Sequence, residues 1–78
     1  MAKTKTIKLN SIEDVKKFVN IVSSYGNDID LICGRYTVDA KSIMGIFSLD
    51  LTKPVTVSVE GDPVNFFEDI APFVIEEK

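Results

Sequence analysis

Ser42 is the residue most open to chemistry. It heads the stretch SIMGIFSLDL, in which Ile43, Met44, Ile46, Phe47, Leu49 and Leu51 crowd together. A hydroxyl at the start of a short helix can accept a backbone N–H as an N-cap. The same hydroxyl is a phosphate acceptor, because a phosphate there would gain from the helix N-terminus and from Lys41. Both readings stand at this point: a structural cap, or a site of regulatory phosphorylation. A phosphate would set about two negative charges beside an apolar surface, enough to change partners without changing the fold.

The other candidates are weaker. Ser11 precedes Glu13 and Asp14, and a serine with no base and two flanking acids is a poor nucleophile. Ser11 followed three residues later by Asp14 resembles a capping box, which accounts for it as a helix start. Cys33 is the sole cysteine and reads as a small strand residue rather than a reactive thiol. Asp28 and Asp30 lack the further ligands of a cation site. The chain has no histidine, so the commonest general base and metal ligand is missing. With no nucleophile–base pair and no metal cluster, the residues point away from an enzyme and call for no cofactor and no metal.

These residues need elements to hold them. Residues 4–9 alternate weakly and read as a first strand, with Ile7 and Leu9 on one side. Residues 12–25 read as a helix, where Ile12, Val15, Phe18, Val19, Val22 and Tyr25 form one arc. Gly26-Asn27 supplies its stop. Residues 29–33 and 36–38 form a hairpin about Gly34-Arg35. Residues 54–60 alternate cleanly, with Val55, Val57 and Val59 inward. Asp62-Pro63 reads as the cap and first residue of a last helix with Val64, Phe67, Ile70, Ala71 and Val74 buried, and Pro72 predicts an early end near Ala71. The order implies an α+β two-layer sandwich, a four-stranded antiparallel sheet with three helices on one face (βαββαβα).

Laid on a wheel, residues 42–49 have an apolar arc of roughly 220°, about twice the stripe a surface helix needs. Ile46, Leu49 and Leu51 can face the sheet. Ile43, Met44 and Phe47 are then left largely exposed as a docking patch, unless the helix is tucked deeper and buries them.

Composition bounds the rest. The chain has 78 residues, which sets one domain, 1–78. Residues 1–41 carry six Lys and one Arg against five acids, and residues 42–78 carry two Lys against seven. Neither half has a basic cluster, so nucleic acid is not an expected direct partner. No apolar run is long enough to span a bilayer, and MAKTKTIK lacks a signal-peptide core, so a cytoplasmic protein without a membrane is expected.

The segment VDAKSIMGIFSLDL resembles the regulatory-serine segment of the HPr family, the phosphocarriers of the bacterial sugar phosphotransferase system, which reads close to V-N-A-K-S-I-M-G-V-M-S-L. Val38, Ala40, Lys41, Ser42, Ile43, Met44, Gly45, Ser48 and Leu49 match in register, while Asp39 stands for the usual Asn and Phe47 for the usual Met. The order of elements also agrees with the HPr fold. The family's phosphocarrier motif, G-[IL]-H-A-R-P-A, has no counterpart. Gapless alignment back from Tyr25 puts Ser11 at the His position, Glu13 at the Arg position and Asp14 at the Pro position, after a loop about five residues shorter. The chain is thus similar to the Crh-like variants of the family, which lack the phosphorylatable histidine. The resemblance implies phosphorylation of Ser42 by HPr kinase/phosphorylase. It further implies binding to a transcriptional regulator of carbon catabolite repression through Ile43, Met44 and Phe47, beside Lys41. The alternative is an unphosphorylated HPr-fold module that binds partners, or itself, constitutively.

Overall fold

The structure, a computed structural model, describes residues 2–75. Four strands, β1 (Ala2–Ile7), β2 (Ile29–Cys33), β3 (Tyr36–Asp39) and β4 (Val55–Glu60), form one antiparallel sheet in the order β1-β4-β2-β3. Helices α1 (Ile12–Ser23), α2 (Ile43–Phe47) and α3 (Phe66–Asp69) complete the α+β sandwich, followed by a 3-10 turn at Ala71–Phe73.

The alternation of β4 decides which face is buried. Val55, Val57 and Val59 point inward and are buried, while Thr56 and Ser58 line the wetter face. Val57 pairs with Leu31 on one side and Lys5 on the other, and Val59 pairs with Ile29 and Lys3. The helices cover this face with Val15, Phe18 and Val22 of α1, Ile46 of α2 and Phe66 of α3. Lys3 and Lys5 share the inward face of the outer strand. Lys3 pairs with Asp62 at 3.4 Å, and the Lys5 ammonium lies 5.5 Å from the centre of the Phe67 ring. Charges pointing inward on an outer strand discourage pairing with another chain.

Several sequence expectations are corrected here. β1 begins at Ala2 and ends at Ile7, so the buried Leu9 lies in the following loop. Ile12 stands at the first helical position, ahead of the first full turn, and is 62% exposed rather than part of the buried stripe. Gly26 does not take the left-handed cap conformation. The helix ends instead through tight bonds from the Ser24 and Tyr25 N–H groups to Ile21 and Val22 carbonyls. Gly34 does have a positive φ, 61°, which the two-residue hairpin turn needs at its first position.

The last helix departs most. Asp62 pairs with Lys3 and does not cap it; Gly61 and Asn65, both at positive φ, turn the chain twice, and α3 starts only at Phe66. Its buried residues are therefore Phe66 and Ile70, with Phe73 beyond, while Val64 is 80% exposed and Ala71 lies on the surface. The early end expected at Pro72 is found. Pro72 sits in the opening of the 3-10 turn, where its missing N–H costs no helical bond. Beyond it the chain pairs with β1: Lys8 N–H donates to the Phe73 carbonyl at 2.8 Å and Ile75 N–H to the Thr6 carbonyl at 3.0 Å. The remaining residues, 76–78, lie outside the described part.

Candidate functional site

The link between β3 and α2 builds the Ser42 turn. Ala40 is buried, and its N–H donates to the Ile29 carbonyl at 2.9 Å, which ties the link to the start of β2. The Asp39 carboxylate accepts the Lys41 N–H at 2.9 Å, and the Asp39 carbonyl accepts the Ser42 N–H at 3.0 Å. Ser42 then takes the extended backbone of an N-cap, with φ −103° and ψ 108°. Its Oγ accepts the Gly45 N–H at 3.1 Å and its carbonyl accepts the Ile46 N–H at 3.0 Å. Gly45 lies against this cap: a Cβ there would meet Ser42 Oγ and Val38 Cβ at 3.4 Å, an ordinary contact. At the other end the Ser48 hydroxyl donates to the Gly45 carbonyl at 2.6 Å and closes the helix.

Five residues of helix cannot hide the whole apolar run. Ile46 is fully buried and Leu49 nearly so. Met44 is 77% exposed, as the wheel predicts, whereas Phe47 is 42% exposed and so more covered than the wheel predicts. Ile43 differs: it is half-buried and packs on the core. Leu51 is also only half-buried. Lys41 requires a larger correction. Its ammonium is 2.7 Å from the Tyr25 carbonyl, at the C-terminal end of α1. That helix has no basic residue in its last turn, so Lys41 supplies the cation its dipole favours. Lys41 is engaged there rather than free beside Ser42.

Ser11 occupies the N-cap of α1. Its Oγ accepts the Asp14 N–H at 3.2 Å, and the Asp14 carboxylate reaches back to the Asn10 N–H at 3.0 Å, one residue earlier than a capping box would place it. Glu13 and Asp14 fill the first turn with negative charge. The Lys8 ammonium binds the Asn10 side-chain oxygen and the Leu51 carbonyl, at 3.2 and 3.3 Å, and so pins the Ser11 loop to the segment after α2. An open cleft of about 530 Å³ results, with Ser11 and Ile12 on one wall and Phe47 and Leu51 on the other. The Ser11 region and the exposed face of α2 are therefore neighbours, and Ile12 joins Phe47 in one apolar rim. Sequence reasoning missed Ile12; its signal is its place directly after the capping serine, where no preceding turn covers it.

Cys33 is half-buried. Asp28 and Asp30 share a recess with Asn27, Asp39 and Lys41, and among the described residues no group of three or more His, Cys, Asp or Glu is arranged to hold a metal. Among the described residues, Tyr25 and Asp50 are perturbed. The Tyr25 phenol donates to the Asp69 carboxylate, and this bond, then desolvation and the carboxylate's charge, raise the Tyr25 pKa. The Thr52 hydroxyl and N–H both donate to Asp50 and hold its carboxyl below the usual range.

The model of a protein family described as the PTS HPr component phosphorylation site matches residues 14–70. No curated protein matches the chain. Among solved structures, HPr-C-His from Thermoanaerobacter tengcongensis is 28% identical with a TM-score of 0.76, over 90% of this chain and 88% of that one. The phosphocarrier protein HPr from Bacillus anthracis is 26% identical with a TM-score of 0.73, over 95% of this chain and 98% of that one. A histidine-containing phosphocarrier protein of Mycoplasma is 15% identical with a TM-score of 0.60, over 91% and 84% of the two chains, and shows the fold alone. The family match begins three positions after Ser11.

Proposed function

This chain belongs to the HPr family of the phosphotransferase system, and on that premise we propose that it is a regulatory member that carries no phosphoryl group on its first helix and is phosphorylated on Ser42. One observation carries the reading: the Ser42 hydroxyl caps a helix whose Met44 side chain stands in solvent beside a partly exposed Phe47. In the phosphorylation step Ser42 Oγ bonds to the γ-phosphorus of ATP, ADP leaves, and the hydroxyl proton passes to HPr kinase/phosphorylase. The phosphate is supported by backbone N–H groups of the first turn, where helix geometry leaves Ile43 and Met44 without intrahelical acceptors. Lys41 contributes less than its position in the sequence implies, since its ammonium is bound to Tyr25. Phosphorylated Ser42 then presents charge beside Met44, Phe47 and the half-buried Ile43 to a transcriptional regulator of carbon catabolite repression.

Loss of carrier activity rests on chemistry. A phosphohistidine carrier needs an imidazole and cationic support, and this chain has no histidine while Glu13 and Asp14 repel an incoming phosphoryl group at the helix start. Intact mass after incubation with HPr kinase/phosphorylase and ATP tests the reading. One phosphate is expected on the wild type and none on Ser42→Ala. Incubation with phosphoenolpyruvate and Enzyme I is expected to leave the protein unlabelled. Exposed Met44 on α2, together with Ile12 and Phe47 at the cleft, supports a second reading, a module that docks without phosphate. Partner binding that is unchanged in Ser42→Ala, with and without the kinase, favours that module.

A further inference from the structure

The turn that builds the Ser42 cap borders a recess lined by Asp28, Asp30 and Asp39 together with Lys41, the residue before Ser42. Asp39 is bonded to the Lys41 N–H through its side chain and to the Ser42 N–H through its carbonyl. Asp30 of β2 lies directly opposite Asp39 in the hairpin. Asp28 lines the same recess with Asn27 and Lys41. Lys41 is the one cation lining that recess among the described residues, and its ammonium is held by the Tyr25 carbonyl. On the helix side Ser42 meets no charge: α2 has no acid in its first turn, and Gly45, which lies against it, is next to Val38.

We propose that the Asp39 carboxylate acts as an electrostatic brake on Ser42, opposing the dianionic form of a phosphate there. The inference rests on the reading of Ser42 as a phosphorylation site. Hydrogen bonding does not require the charge: an asparagine oxygen would accept the same Lys41 N–H. Charge and turn are therefore separable by one isosteric substitution. Asp39 stands three residues before Ser42 and its carboxylate is bonded to the Lys41 N–H, one residue before the bonded Ser42 N–H, so it lies on the order of 6–8 Å from a phosphate on Ser42 Oγ. At that range, acting through the dielectric of water, a unit charge moves a phosphate pKa by about 0.3–0.6, less at high salt. The second phosphoserine pKa is ordinarily about 6, so the shift falls where it changes the phosphate's charge near neutral pH.

The test installs phosphoserine at position 42 by genetic encoding and follows its phosphorus-31 shift with pH at low salt. Asp39→Asn is expected to lower the second pKa by about 0.3–0.6. Asp30→Asn should act in the same direction but less, and it serves as the second variant if Asp39→Asn disturbs the turn. Glu13→Gln, at the far end of the 12-residue α1, should leave the pKa in place. No shift in Asp39→Asn and Asp30→Asn, or an equal shift in all three variants, would overturn the proposal. Incubation of the unmodified protein with kinase and ATP decides separately whether Ser42 takes phosphate. Failure there sinks the phosphorylation reading, while the encoded phosphoserine still measures the effect of Asp39.

Discussion

Alanine at three neighbouring positions of α2 should give three different losses of stability. Ile46 is fully buried, so Ile46→Ala removes buried methyl and methylene groups and leaves a cavity, at a cost of about 3 kcal/mol. Phe47 is 42% exposed and lines the cleft, so a little over half of it is covered. Roughly 100 Å² of apolar surface at about 25 cal/mol per Å² gives about 2.5 kcal/mol, reduced to about 1.5–2 kcal/mol by burial that persists in the denatured chain. Met44 is 77% exposed, and Met44→Ala should stay within about 0.5 kcal/mol of the parent. Urea unfolding followed by circular dichroism reads all three, with an unchanged slope against denaturant as the check on two-state behaviour. In a domain of this size each kcal/mol moves Tm by about 4–8 °C, so the order is also visible in a thermal scan. A loss above about 1.5 kcal/mol for Met44→Ala, or below about 1 kcal/mol for Ile46→Ala, would refute the assignment of the helix faces. Phe47 is the intermediate case: it helps hold the cleft together as well as forming its rim.

Ser42→Ala and Ser11→Ala each remove a cap bond and should each cost about 1 kcal/mol in the same unfolding assay. The two sites share no partner, so the double variant should cost the sum. The raised Tyr25 pKa means that the folded protein favours the neutral phenol. The associated stability is complete below the unfolded value of about 10 and is lost as pH rises through the higher folded value. Phenolate absorbance should therefore show one tyrosine ionising late, and Tyr25→Phe should remove that step. Asn65→Gly should preserve or raise stability, because only the left-handed φ of 69° is asked of this residue and no side-chain cap bond is lost.

The elements that could be read from sequence are those with a complete local signal. β4 carries three buried valines in strict alternation, and the hairpin carries a glycine at the turn position that needs positive φ. The last helix misled because Asp62-Pro63 is a sound local cap, while the ion pair to Lys3, some sixty residues away in the chain, claims the aspartate. Lys41 misled in the same way. Its adjacency to Ser42 is a fact of sequence, and its bond to Tyr25 is a fact of tertiary structure. The cleft that joins Ser11 to Phe47 depends on Lys8 bridging two distant loops, for which no periodic pattern exists.

Ser42 by itself distinguishes a regulatory surface less than its neighbours do. A cap at the start of α2 explains a serine without any partner, just as the cap of α1 explains Ser11. Ile46 is likewise explained by burial. Met44 has no such explanation: the fold leaves it in solvent, where a polar residue would serve the helix as well. Ile12 and Phe47 extend that apolar surface across the cleft. An apolar rim beside a capping hydroxyl is the combination in which added phosphate changes what the surface can bind while leaving the core untouched. Substitutions at Met44 are therefore the sharpest separation of docking from folding. Met44→Ser should abolish partner capture by phosphorylated protein at unchanged Tm, and capture at full strength would remove the exposed face of α2 from the interface.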